Sequence, residues 1–189
     1  MGFQTPMRFN LDYILELPVG RGKLLSTHWA GKLSVLLEGW RISGITTIMT
    51  SWPFYPQIFG DPNSDGVWGD RPNRIGRGTL PATQRSIDKW FKTSDFVMPN
   101  YAGPNPQWFG NSGRNILLSP GHHNWDISIL KRTGVSKDGN LLEFRVQLFN
   151  AFNRANFEQP GSYMGTPTFG VISNAGNARE IEVAVKYSF

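Results

Sequence analysis

Cysteine is absent from the 189 residues, which removes disulfide scaffolds, thiol catalysis and Cys-ligated zinc in one step. Long apolar runs are missing too. The densest, Leu33-Ser-Val-Leu-Leu37, falls far short of the roughly 18 apolar residues of a membrane helix. Residues 1–20 show no charged region followed by an apolar one, so no signal peptide is read there. Histidine is scarce: His28, His122 and His123 are all there is. The adjacent two would point to opposite faces of a strand, which argues against a shared metal. No Ser/His/Asp spacing, phosphate loop or paired-carboxylate motif stands out, so the sequence predicts no enzyme. The formal charge of +5 is modest and its basic residues are scattered, which argues against a nucleic-acid partner.

What is present is punctuation and alternation. Gly 21, Pro 13 and 13% aromatic residues point to many turns and short strands. The C-terminal segment 179–189 alternates strictly, with Ile181, Val183, Val185, Tyr187 and Phe189 on one face and Glu182, Ala184, Lys186 and Ser188 on the other. Its length matches the roughly 9–11 residues with which a tilted strand crosses a bilayer. Two readings fit it: a half-buried strand of a soluble sheet, or a barrel strand with an apolar face to lipid and a polar face to the lumen.

Four further strands are predicted near 8–17, 40–50, 124–132 and 141–150. In 8–17, Phe9, Leu11, Tyr13, Leu15 and Leu17 oppose Asn10, Asp12 and Glu16; Pro18 to Gly22 ends it. Ile45 and Met49 interrupt the polar face of the second. Trp125, Ile127 and Ile129 oppose Asp126 and Ser128, and Phe144, Val146 and Leu148 oppose Glu143, Arg145 and Gln147. Lys137-Asp-Gly-Asn140 reads as a tight turn. Segments 51–123 and 151–178 read as long loops rich in Gly, Pro and Asn, the first with a short helix expected near Gln84–Phe91. With alternating strands, both long loops fall on one side and 18–39 and 133–140 on the other, the asymmetry expected of an outer-membrane barrel.

Several residues are chemical candidates. Asp61-Pro-Asn-Ser-Asp-Gly66 places oxygen ligands at the first, third and fifth positions of a calcium loop and glycine at the sixth. The twelfth position is Pro72, so Asp70 is the nearest substitute for the usual glutamate. A calcium site built from Asp61, Asn63, Asp65 and Asp70 stands beside the plainer reading of an Asx-rich turn. Asp126, Glu143, Arg145, Glu182 and Lys186 are expected to face a lumen, either lining a substrate path or pairing across strands. Trp52, Trp68, Trp90, Trp108, Tyr55 and Tyr101 of the first loop could stack on a sugar or on one another.

Phe109-Gly-Asn-Ser-Gly-Arg-Asn-Ile116, Asn124-Trp-Asp-Ile-Ser128, Phe144-Arg-Val-Gln-Leu-Phe-Asn-Ala-Phe-Asn153 with Asn156-Phe157, and Phe169-Gly-Val-Ile172 with the terminal strand resemble the C-terminal end of TonB-dependent outer-membrane receptors of the Oar-like type found in acidobacteria. Asp70-Arg-Pro-Asn73 and Gly39-Trp-Arg-Ile-Ser-Gly-Ile-Thr-Thr46 fit the same pattern. The resemblance implies an all-β, antiparallel transmembrane barrel segment, about five or six strands of a barrel of about 22, with long extracellular loops. It implies a location in the bacterial outer membrane. Implied partners are the lipid bilayer, the barrel-assembly machinery, the remainder of the receptor with its plug, and an oligosaccharide or peptide substrate. Tyr187 and Phe189 would serve as the assembly signal. The rival readings are a soluble, secreted β-sandwich that binds carbohydrate, and a surface adhesin on the same barrel.

Overall fold

The computed structural model describes residues 7–19, 36–102, 104–135 and 139–189. The turn at Gly20 to Gly22, His28, and Lys137 and Asp138 of the tight turn lie outside them. In chain order the strands are β1 (Arg8–Glu16), β2 (Trp40–Met49), β3 (Pro53–Phe54), β4 (Gln57–Ile58), β5 (Asn73–Arg74), β6 (Phe96–Val97), β7 (Leu117–Leu118), β8 (His122–Gly134), β9 (Leu141–Phe149), β10 (Tyr163–Met164) and β11 (Glu180–Ser188). The chain divides into two compact units.

One unit carries the long strands, which form a five-stranded sheet in the order β1-β2-β8-β9-β11. It is antiparallel and, among the described residues, open, with β1 and β11 at its edges. Period-two alternation fixes its register, since a slip by one residue would invert every side chain. Thus Val146 lies opposite both Ile129 and Val183, and Leu148 opposite both Ile127 and Ile181. These residues share one apolar face. Among the described residues nothing covers that face at its edge: Val183 and Val185 are 62% and 65% exposed.

Gly44 marks the close contact of β1, β2 and β8. A Cβ there would fall 2.5 Å from the Asp126 carbonyl oxygen and 2.5 Å from the Tyr13 hydroxyl. Only glycine fits between them.

The second unit is built from the two long connections, β2 to β8 and β9 to β11. These are not irregular coil. Phe54, Phe91, Phe96 and Leu117 form a buried cluster, joined by Phe169 from the second connection. Phe91 meets Phe54, Phe96 and Phe169 edge to face at 5.8, 5.9 and 5.2 Å, the arrangement the ring quadrupoles favour. Backbone bonds tie the two connections as well: Trp90 N donates to Gly170 O at 2.9 Å and Ile172 N to Ile87 O at 2.7 Å. β4 and β10 pair in parallel through Gln57↔Tyr163 and Ile58↔Met164.

The helix expected near Gln84–Phe91 is absent. A single 3-10 turn, Ala82–Gln84, stops where Arg85 turns extended, and Ser86 and Lys89 then close a turn through mutual backbone bonds of 3.0 and 3.2 Å. Drawing Phe91 into the core and Trp90 against it outweighs helix propensity over so short a stretch.

Asp95 anchors this core from its polar side. Only 7% exposed, it accepts the Gly78 N–H at 2.9 Å and pairs with Lys92 at 2.7 Å. The hydrogen bond from Lys92, followed by that from Gly78, holds its carboxyl below the usual carboxylate range. A lowered native pKa contributes stability above the unfolded value, near 3.9, that is lost as pH falls through the native one. Asp95→Asn is therefore expected to lower the melting temperature of the loop unit at neutral pH and to converge with the wild type only in acid below the lowered native pKa of Asp95. Near-UV circular dichroism on heating checks this; equal melting at neutral pH would contradict it.

Candidate functional site

The charged face of the sheet follows from the same register that builds its apolar face. Glu182, Ala184 and Lys186 lie opposite Gln147, Arg145 and Glu143, and Ser128, Leu130 and Arg132 lie opposite those three from the other side. Directly opposed residues share a face. Glu143, Arg145, Glu182 and Lys186 therefore stand together, with Asp126 two residues before Ser128 on the same side.

Glu143 is the hub of this face. Its two oxygens accept Arg132 Nε at 2.9 Å and Arg145 Nη2 at 2.8 Å. Toward the β1 edge of the sheet Arg41 bonds Glu16 at 2.5 Å across β2 and β1, and Thr47 bonds Asn10 at 3.1 Å. Asp126 also secures the turn after β9. Its Oδ1 accepts Asn124 Nδ2 and the Asn150 backbone N–H, each at 2.9 Å. Arg132 was not singled out from the sequence, although it continues the even-numbered series from Asp126 and Ser128. Leu130, on the same face, hid the pattern. A hollow of about 490 Å³ over the middle of the sheet includes Asp12, Ser43, Asp126, Ser128 and Gln147 in its lining.

Aromatic residues mark both ends of the apolar face. At the turn end the Lys131 ammonium lies 5.4 Å from the Trp40 ring and donates to the Glu38 carbonyl. Lys131 sits opposite Phe144, so its stem covers apolar surface while its charge reaches the end of the sheet. Tyr187 is at this end too, its hydroxyl accepting Asn140 Nδ2 at 2.9 Å and its ring 6.1 Å from Phe189. At the loop end Trp125 packs edge to face on Phe152 at 5.3 Å. Nine residues, as in β9 and β11, span roughly 30 Å at about 3.4 Å each, or roughly 23 Å when tilted by about 40°. Two aromatic girdles around a band of that height suit a bilayer.

The acidic loop lies in the other unit. Asp61, Asp65 and Asp70 each bring a carboxylate oxygen within 4.8 Å of the others. Asp61 is oriented by the Asp65 N–H at 3.1 Å and the Gly66 N–H at 2.9 Å, and Asp65 by the Val67 N–H at 2.8 Å. Gly66, at φ 83, and Ser64, at φ 57, make the sharp turn. Asn63, the third-position oxygen residue of the loop, is buried beside them. Its amide donates to the Trp108 carbonyl at 3.1 Å and to Asp65 at 3.2 Å, and its own carbonyl accepts the Asp65 N–H at 3.3 Å. These bonds tie the loop together.

Burial, then the charges of Asp65 and Asp61, holds the Asp70 carboxyl above the usual carboxylate range. Burial, then Asp70 and Asp65, pushes the Tyr101 phenol up. Tyr101 was read from the sequence only as a stacking ring. Of the other aromatics named with it, Trp90 packs against the core, and Trp68 is 72% exposed with its ring 6.1 Å from Phe59.

A family model described as an outer membrane beta barrel domain matches residues 1–182. No curated protein matches the chain, and no solved structure does. With the match running over nearly its whole length, and an antiparallel sheet that is apolar on one face and charged on the other, the chain belongs to the outer membrane beta barrel domain family.

Proposed function

We propose that this chain is the barrel-forming C-terminal part of an Oar-like, TonB-dependent receptor that takes up large nutrients such as oligosaccharides or peptides. The motif set from Phe109 to the terminal strand carries the reading, because barrel membership by itself fits many functions. The folded loop unit supports it. A receptor needs ordered surface to capture a ligand before translocation, and connections with their own aromatic core are ordered.

In this reading the charged face lines the lumen. Glu143 with Arg132 and Arg145 stiffens the wall by cross-strand pairing, and Glu182 and Lys186 extend the polar lining. The remainder of the receptor supplies the plug and the strands that meet β1 and β11. A soluble sandwich is disfavoured, since it would leave Ile181, Val183 and Val185 in water. Energy-coupled uptake is the direct test. Cells carrying the full-length parent should take up labelled oligosaccharides or peptides too large for porins, and lose that uptake when TonB is deleted. Uptake that survives the deletion would contradict the proposal.

The terminal aromatics are assigned to barrel assembly. Tyr187 is fixed by Asn140, whereas Phe189 is 100% exposed. So exposed a side chain contributes little stability by burial, which leaves it free to be read by the assembly machinery. Deleting Phe189 from the full-length parent should lower its outer-membrane level several-fold with synthesis unchanged, measured by quantitative blotting of membrane fractions. Unaltered insertion would remove that role.

A further inference from the structure

We propose that Asp61, Asp65 and Asp70 hold a divalent cation, of the calcium class, in the loop unit. Their carboxylate oxygens all lie within 4.8 Å of one another, about twice a Ca²⁺–O distance of roughly 2.4 Å. Each pair is thus close enough to share one ion. Among the described residues none of the three carboxylates is paired with Lys or Arg, so the cluster gathers three negative charges that no protein cation offsets.

A second observation, independent of that clustering, points to a ligand. Asp70 is the least exposed of the three, and its Oδ2 is enclosed with no hydrogen-bond partner. An orphaned carboxylate oxygen in the interior is costly unless a charge meets it. The neighbouring Tyr101 hydroxyl is likewise enclosed and without a partner. It can donate to a carboxylate or to a water on the ion.

The donor set selects the metal class. All the offered atoms are oxygen, which favours hard cations over zinc or copper. The carboxylates come from an irregular loop rather than an octahedral frame, which suits calcium better than magnesium, with waters completing six to eight ligands. No bidentate glutamate closes the site, since Pro72 occupies that place. The expected affinity is therefore that of weak extracellular sites, on the order of 10⁻⁴–10⁻³ M. Occupancy would brace the segment that carries Trp68, whose ring packs on Phe59, which in turn meets Tyr163 at 6.2 Å. That exposed aromatic ledge would thereby be held in one shape.

The experiment uses the full chain in detergent micelles, with calcium and terbium as probes. Tryptophan-sensitised terbium emission should saturate and be displaced by calcium, and millimolar calcium should raise the melting temperature of the loop unit. Asp70→Asn should weaken terbium and calcium binding by about tenfold or more. In chelator, the same variant should melt at or above the wild-type temperature, because it removes like-charge crowding. That reversal separates a ligand from a merely structural residue. Should Asp70→Asn fail to fold, Asp65→Asn, at the exposed rim, replaces it with the same expected loss of binding. Terbium affinity equal in wild type and variant, or a wild-type melting temperature unmoved by calcium, would overturn the site.

Discussion

Hydrocarbon offers no hydrogen bonds, so every N–H and C=O of a strand placed in it must be met by another strand, at a cost of several kcal/mol for each group left open. The long sheet obeys that constraint in its interior. β9 is matched from Leu141 to Leu148 by β8 on one side and along its whole length by β11 on the other. At β1 and β11 the same constraint demands further strands, since an edge cannot stand exposed to lipid. An outer-membrane barrel resolves it by closure, with the bilayer against the outward face. Inside that limit the side chains are free to differ by face, and they do.

The constraint also explains where this protein keeps its core. A sheet whose apolar face meets lipid gains nothing by burying that face against protein, so the long strands carry few buried side chains. The connections lie in water and have to fold by burial. Phe54, Phe91, Phe96, Leu117 and Phe169 accordingly form an aromatic-rich core within the connections. On the charged face, Glu143 between two arginines keeps a polar wall rigid without apolar contacts. Such pairs, partly solvated, are worth little singly and gain by forming a network.

How much of this was legible in the sequence follows from the range of the interactions involved. Period-two alternation is local, so Val183 and Glu182, or Phe144 and Glu143, declare their faces without any structure. Lys131 breaks the pattern because snorkelling over Trp40 satisfies a charge on the apolar side. Leu130 breaks it on the other face, and Arg132 was overlooked as a result. The loop core was not legible, since Phe54 meets Phe91 and Phe91 meets Phe169 across long stretches of chain with no shared period. The same long-range packing cancelled the helix expected near Gln84–Phe91. In the acidic loop, spacing pointed to Asp61 and Asp65. It could not show that Asn63 would turn its amide to the Trp108 carbonyl, or that a tyrosine near position 100 would bring an enclosed hydroxyl beside Asp70.

The central claim is that the face carrying Val183 meets lipid and the face carrying Glu182 meets an aqueous lumen. Single cysteines at these two positions of the full-length parent, in a protein that has no cysteine in this region, can be exposed to a membrane-impermeant thiol reagent in intact outer membranes. The account predicts modification at position 182 and protection at position 183. The opposite pattern, or equal labelling at both, would contradict it.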